Sequence, residues 1–297
     1  MTAASRRRFL ALVPALLVAL PSQAFADTLR VTFAPARPRA GDVVLVTIRG
    51  AARDALVEAM LDGHPLGVFP AERGHAAVVG IDMDATPGAR EWRLTAASRG
   101  RTDAAEGRLT VTPRSYHVQH LTVARGMVEL DPETERRAVA ETARMREVYR
   151  TASGERLWRG PFLRPVAGGQ PGSGFGARRV INGQPRSPHG GIDFAAPVGA
   201  PVVAANRGRV ALVAEFFFPG RLVILDHGLG LHTAYFHLDS VAVTEGQLVA
   251  RGEPLGTVGM TGRVTGPHLH FGAQVGTARI DPSGLFGLAP RDEGRGP

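Results

Sequence analysis

The chain has 297 residues, 44% of them hydrophobic, enough for one large domain or two modest ones around an ordinary globular core. It contains no cysteine, which excludes a disulfide framework, a thiolate metal site, a cysteine nucleophile and a lipid-anchored cysteine, so any metal must be held by His and carboxylate. The formal charge is +8, but Arg6, Arg7 and Arg8 inflate it: residues 27–297 carry 32 bases against 27 acids, dispersed and without the basic block expected of a nucleic-acid arm.

The first segment reads as an address. Ser5 and the three arginines open an apolar stretch over residues 9–20, and Ala24-Phe25-Ala26 places small residues two apart just before Asp27. That is the n-region, h-region and cleavage-site order of a secretory signal peptide, and the stretch is too short to span a bilayer. The arginine pair before Phe9 and Leu10 resembles the twin-arginine export signal, although three arginines also satisfy a general n-region. The expectation is a periplasmic or secreted protein with no stable membrane insertion once residues 1–26 are removed.

Residues 29–113 read as short strands, at 29–33, 42–48, 76–81, 91–96 and 106–111, with Gly, Pro and Asp between them. Such spacing predicts a small antiparallel β-sandwich. His64 and His75 are isolated here and are expected to be turn or surface residues rather than ligands. At Asp131 the pattern changes. Asp131 suits an N-cap, Pro132 the first helical position and Glu133 the first turn, and the sequence to Arg150 has neither Gly nor Pro. The spacing predicts a helical connector on the surface with a solvated charged face, and His117 and His120 lie in its approach. A Gly/Pro-rich stretch over 165–176 leads into strand patterns at 201–205, 208–217, 222–226, 231–237, 254–258 and 268–275. These predict a compact all-β domain of roughly 130 residues.

Six of the ten histidines fall in that last segment. His189-Gly190-Gly191-Ile192-Asp193 sets an imidazole and a carboxylate four apart, with two glycines allowing a sharp turn between them. His268-Leu269-His270 places two imidazoles on one face of a strand. Each pair alone is common by chance. Together, two His and one Asp give the ligand set that a catalytic Zn²⁺ favours, with one position left for water. His227, after Asp226 at a strand end, is expected to pack or turn the chain. His232, at odd spacing from His237, is expected on the opposite face. Arg178 and Arg179 are read as solvated loop residues rather than contacts to substrate carboxylates.

The wider text resembles the lysostaphin-like (LytM-like) metallopeptidases over about residues 160–286. Phe175-Gly-Ala-Arg178 precedes His189-Gly-Gly-Ile-Asp193-Phe-Ala-Ala-Pro-Val-Gly-Ala-Pro201. Val223-Ile-Leu-Asp226-His227-Gly228, Thr233-Ala-Tyr235-Phe-His237-Leu238, Gly259-Met-Thr-Gly262 and Gly266-Pro-His268-Leu-His270-Phe271 follow in order. The resemblance implies one Zn²⁺ held by His189, Asp193 and His270, with His237 and His268 catalytic. Taken with the readings above, it gives a mainly β chain expected to divide as 1–26 signal peptide, 27–113 β-sandwich accessory domain and 114–160 helical connector, with the resemblance itself implying a zinc peptidase domain at 161–290. It further implies an endopeptidase acting on peptidoglycan peptide stems, expected as a monomer. The alternative is a catalytically silent activator or wall-binding module of the same fold, and a secreted peptidase for Gly-rich proteins is a third reading. The complete set of five residues argues against the silent one.

Overall fold

The computed structural model describes residues 29–122, 130–171 and 174–289. The expected signal peptide, 1–26, lies outside the described residues, as do part of the approach to the helix and two positions of the Gly/Pro-rich stretch. Among the described residues no helix is long and apolar enough to cross a membrane.

The chain is mainly β. Its first part holds β1 (Arg30–Ala34), β2 (Val43–Arg49), β3 (Leu56–Leu61), β4 (His64–Pro65), β5 (Val68–Ala71), β6 (Gly74–Gly80), β7 (Gly88–Ser98) and β8 (Arg101–Val111). These form two four-stranded antiparallel sheets, β1-β2-β6-β5 and β4-β3-β7-β8. Val44, Val46 and Ile48 alternate with Val43 and Leu45 along β2. The first three fill the sandwich core with Ala77, Val79, Leu94 and Val111. Val43 and Leu45 turn the other way, into a second core shared with Trp158, Leu231 and Phe271. A strand covered on both faces needs apolar residues at successive positions rather than at alternate ones, which is why 43–46 reads Val-Val-Leu-Val.

After β9 (Val118–Leu121) comes α1 (Pro132–Arg150), capped by the Asp131 carboxylate, which accepts from the backbone of Glu133 and Thr134. The remaining strands are β10 (Gln170–Pro171), β11 (Arg178–Ile181), β12 (Gln184–Pro185), β13 (Gly191–Ala195), β14 (Pro201–Val203), β15 (Gly208–Phe216), β16 (Gly220–Asp226), β17 (Leu231–Val241), β18 (Leu248–Val249), β19 (Pro254–Val258), β20 (His268–Val275) and β21 (Ala278–Ile280). Most join one ten-stranded sheet whose main path is β10-β13-β20-β17-β16-β15-β18. A separate sheet, β12-β11-β9, draws the connector alongside this domain, with β9 parallel to β11.

Two expectations about this middle region need correcting. The helix is more than a surface connector: Met145, Val148 and Tyr149 pack on Leu212, Phe216, Leu222 and Ile224 of the sheet, because the sheet is apolar on this face as well as on the one behind it and both have to be buried. Arg178 and Arg179 sit in β11, not in a solvated loop. Arg178 bonds Asp84 of the sandwich and lies over the Tyr116 ring.

The sandwich is joined to the large sheet by packing and by charge. A side chain at Gly80 would meet Val275, Ala278 and Ile280 at 3.0 Å, so the sheets approach closely there. Asp82 accepts from Arg279 at 2.8 Å, Asp84 from Arg279 at 2.7 Å, and Asp281 from Arg114 at 2.7 Å. Burial pushes the Asp82 carboxyl up, but the Arg279 bonds outweigh it and hold it below the usual carboxylate range. His75 is buried on β6, contrary to the expectation of a turn or surface residue, because that strand is covered on both faces.

Candidate metal centre

Strand register places the site. Asp193 on β13 is paired with His270 on β20, and His270 with Phe236 on β17, so the three side chains form a row on one face. Phe194, Leu269, Phe271 and Tyr235 take the intervening positions and point into the core behind it. His189 enters from the loop before β13. Gly190 and Gly191 adopt no left-handed conformation, so the sharp turn expected of them is not their purpose. A side chain at Gly191 would lie 2.3 Å from the Phe271 carbonyl and 2.8 Å from His270 Nε2. That position is glycine because β20 and the His270 ring come so close.

The convergence is tight. His189 Nε2 lies 3.0 Å from Asp193 Oδ1 and 2.9 Å from His270 Nδ1, and His270 Nδ1 is 3.0 Å from Asp193 Oδ1. Among the described residues this is the only His/Asp/Glu trio with ligand atoms so grouped. His189 Nδ1 lies 2.9 Å from the Gly174 carbonyl, which can only accept, so a neutral His189 carries its proton there and leaves Nε2 bare. The three facing atoms then share at most one proton, on His270. Burial raises the Asp193 carboxyl, but hydrogen bonding with the His189 and His270 rings outweighs it and holds the group well below the usual carboxylate range. Converging lone pairs around a buried anion fit a cation, and two His nitrogens with one carboxylate oxygen are a set that suits zinc.

Two more imidazoles stand beside this trio. His268 Nδ1 donates to the Gly266 carbonyl at 2.8 Å and His237 Nδ1 to the Thr261 carbonyl at 3.0 Å, so in the neutral ring each turns a bare Nε2 outward. The two rings are 4.8 Å apart, and His268 Nε2 is 3.9 Å from Asp193 Oδ1. Burial, helped by the nearby His270, lowers the His237 pKa to about 3 and keeps it neutral.

His237 reaches the site by a backbone device. In strict alternation it would share the core side with Tyr235, but its φ is +64°, which swings it to the side of Phe236. The parity argument for His232 therefore fails, although His232 still lies away from the site. It is on the same face as Phe236, further along β17, where its ring meets Tyr149 edge-on at 5.6 Å beneath α1. His227 is buried, with Nδ1 donating to the Arg207 carbonyl at 2.8 Å, a packing role as expected.

All five expected residues line one open groove of about 1300 Å³. Its walls contain residues that sequence patterns did not single out as site-lining: Phe218 and Phe236, Ala138, Glu141 and Thr142 of α1, Arg186, and Arg263. Glu141 helps shape the groove, accepting from the Phe217 backbone at 2.7 Å. An acidic residue on the helical connector gives no hint in sequence that it will meet a loop 76 residues later.

Residues 187–282 match the model of peptidase family M23. The chain is similar to the peptidoglycan DD-endopeptidase ShyB of Vibrio cholerae, 44% identical over 94 residues, covering 32% of this chain and 22% of that protein. It is also similar to the DD-carboxypeptidase/endopeptidase Mpg of Neisseria meningitidis, 42% identical over 94 residues, covering 32% and 22%. The matched segment thus spans under a quarter of these curated relatives. A crystal structure assigned to peptidase M23, from Pseudomonas aeruginosa, superposes with TM-score 0.66 at 32% identity, covering 84% of this chain and 96% of that one.

Proposed function

Because this chain belongs to peptidase family M23, we propose that it is an exported, zinc-dependent endopeptidase that hydrolyses peptide cross-links of peptidoglycan. The observation that carries this reading is the meeting of His189 Nε2, Asp193 Oδ1 and His270 Nδ1, each about 3 Å from the other two, beside two imidazoles with outward Nε2 atoms. Relatives that are named as DD-endopeptidases supply the substrate class. The apolar, arginine-led segment at residues 9–20 supports export.

His189, Asp193 and His270 would hold the ion. Zinc in such a site supplies Lewis acidity, which polarises a carbonyl and acidifies water. Asp193 contributes one negative charge and so moderates that acidity. His237 and His268 have Nδ1–H committed to carbonyls, so both offer a hydrogen-bond-accepting Nε2 to the groove. Both are placed to accept a hydrogen bond from an attacking water, and His268 to take its proton and return it to the leaving amine. Phe236, stacked on His270 at 5.2 Å and 13°, fixes the plane of that ligand ring.

The test is digestion of purified sacculi by the zinc-loaded protein, with released muropeptides identified by mass spectrometry and His268→Ala as control. New peptide ends from the wild type and none from the variant are expected. Intact sacculi beside a working reference hydrolase would refute the reading.

A further inference from the structure

β15 and β16 are joined by a three-residue turn, Phe217 to Pro219, and two of its residues, Phe218 and Pro219, line the groove. Hairpin tips are ordinarily left to solvent and open easily. This one is bonded outward at each residue. The Phe217 N–H donates to Glu141 Oε2 of α1 at 2.7 Å, the Phe218 carbonyl accepts from the Arg263 backbone at 3.1 Å, and the Pro219 carbonyl accepts from the His237 backbone at 2.8 Å. Phe216, at the end of β15, shares one apolar cluster with Met145 and Tyr149 of α1.

The bond to Pro219 matters because His237 stands at φ +64°, where a residue other than glycine stays only if its neighbours hold it. The turn fixes its backbone, and the Thr261 carbonyl fixes Nδ1 at 3.0 Å. Arg263 lies on the same loop as Thr261, so its bond to Phe218 ties the turn to a segment that is itself being placed. Glu141 gives a reference from outside that loop. It stands within the 19-residue helix α1, its side chain is 13% exposed, and Arg137 one turn earlier holds its other oxygen at 2.6 Å. A carboxylate so placed keeps one oxygen aimed at the Phe217 N–H, a charge-assisted bond of the stronger kind. Residues 187–282 match the family model and α1 lies before them, so this bond joins the connector to the chemistry of the matched domain.

We propose that Glu141 is a positioning residue: through Phe217 and Pro219 it holds His237 in the backbone setting that turns its Nε2 into the groove, which makes α1 part of the working unit. This deepens the peptidase reading and rests on it. The test compares the full-length wild type with Glu141→Ala and Glu141→Gln. Amide hydrogen exchange is read by mass spectrometry without substrate, and kcat and KM are measured for the zinc-loaded proteins on a soluble cross-linked muropeptide. In Glu141→Ala, exchange should quicken by about tenfold at 217–219 and at 236–238 and stay unchanged in β13. Its kcat should fall about tenfold, with KM within about twofold of the wild type and zinc retained. Glu141→Gln keeps an oxygen that can accept from Phe217 and should recover most of both. Should Glu141→Ala not fold, Glu141→Asp takes its place, since it keeps the charge on a side chain one methylene shorter. Unmoved exchange at 236–238, a loss expressed in KM rather than kcat, or an equal loss in Glu141→Gln overturns the positioning role. A wild type that cuts, beside a Glu141→Ala variant of equal kcat, overturns the positioning role and leaves the peptidase standing. Faster exchange at 236–238 that Glu141→Gln restores, with no protein cutting the muropeptide, upholds the positioning role and overturns the peptidase.

Discussion

Tyr235→Phe removes one oxygen from the middle of a buried relay. The Tyr235 hydroxyl accepts from the Ala205 backbone at 2.8 Å and lies 3.1 Å from Thr233 Oγ1, which is 2.8 Å from His227 Nε2. Burial lowers the His227 pKa to about 4, so the ring is neutral, and its contact with the Arg207 carbonyl places the proton on Nδ1. Nε2 must therefore accept from Thr233, and Thr233 in turn from Tyr235, so the donors all run one way. Phenylalanine fills the same space, and no cavity contributes to the loss. What remains is a buried Ala205 N–H without an acceptor and a Thr233 oxygen without a donor, together about 2–3 kcal/mol. At about 2–4 °C per kcal/mol for a chain of this size class, the melting temperature should fall by roughly 5–10 °C. Calorimetric melts at pH 7, paired with urea titrations, check it. A fall of under about 1 °C would refute both the relay and the proton direction assigned to it.

Three further outcomes are expected. His237→Gly should melt higher than His237→Ala, since only the alanine keeps a Cβ at φ +64°, a penalty of about 1–2 kcal/mol; both should lose at least ~100-fold in kcat, and an alanine variant as stable as the glycine one would contradict the strain. Asp193→Ala should retain less than a tenth of the zinc that the wild type keeps after dialysis, read by elemental analysis, whereas equal retention would remove Asp193 from the ligand set. Asp82 and Asp84 have folded pKa values lowered by Arg279 and by Arg178 and Arg279 respectively. Their contribution is therefore complete above the unfolded value of about 3.9 and is lost as pH falls through the folded values. Asp82→Asn should flatten the acid limb of a stability–pH curve, and identical limbs would argue against the ion pair.

Much of the candidate site was legible because each of its parts has a local signature. The spacing of His189 and Asp193, the alternation of His268 and His270, and the cap at Asp131 depend on neighbours within a few residues. What failed depended on distant partners or on backbone angles. The parity rule misplaced His232 because one residue, His237, leaves the strand region of backbone space, and no residue type at that position announces it. Gly191 was read as a turn and is instead a clearance for β20. His75 and the helix were assigned to the surface because the second layer covering β6 and the outer face of the sheet comes from elsewhere in the chain. The strands β3, β5, β9 and β13 were also missed: each is fixed by pairing with a neighbouring strand, and sequence alone carries no register.

The strain at His237 and the motif around Thr261 belong to one arrangement. A residue held at positive φ persists only where its surroundings over-determine it. Here the His237 backbone N–H donates to the Pro219 carbonyl at 2.8 Å while its Nδ1 donates to Thr261. Thr261 is itself fixed, its hydroxyl donating to the Leu238 carbonyl at 2.8 Å and accepting from the Arg221 backbone at 2.9 Å. Gly220 and Gly262, both at positive φ, let the two loops touch; a side chain at Gly220 would lie 2.3 Å from the Thr261 backbone. The Gly-Met-Thr-Gly segment thus acts at one remove from the chemistry. It holds a carbonyl where His237 must donate Nδ1–H, and so decides which nitrogen faces the groove. Swinging His237 off the core side without that carbonyl would leave the ring free to choose its tautomer, and an Nε2–H turned toward the groove could no longer accept a hydrogen bond from water.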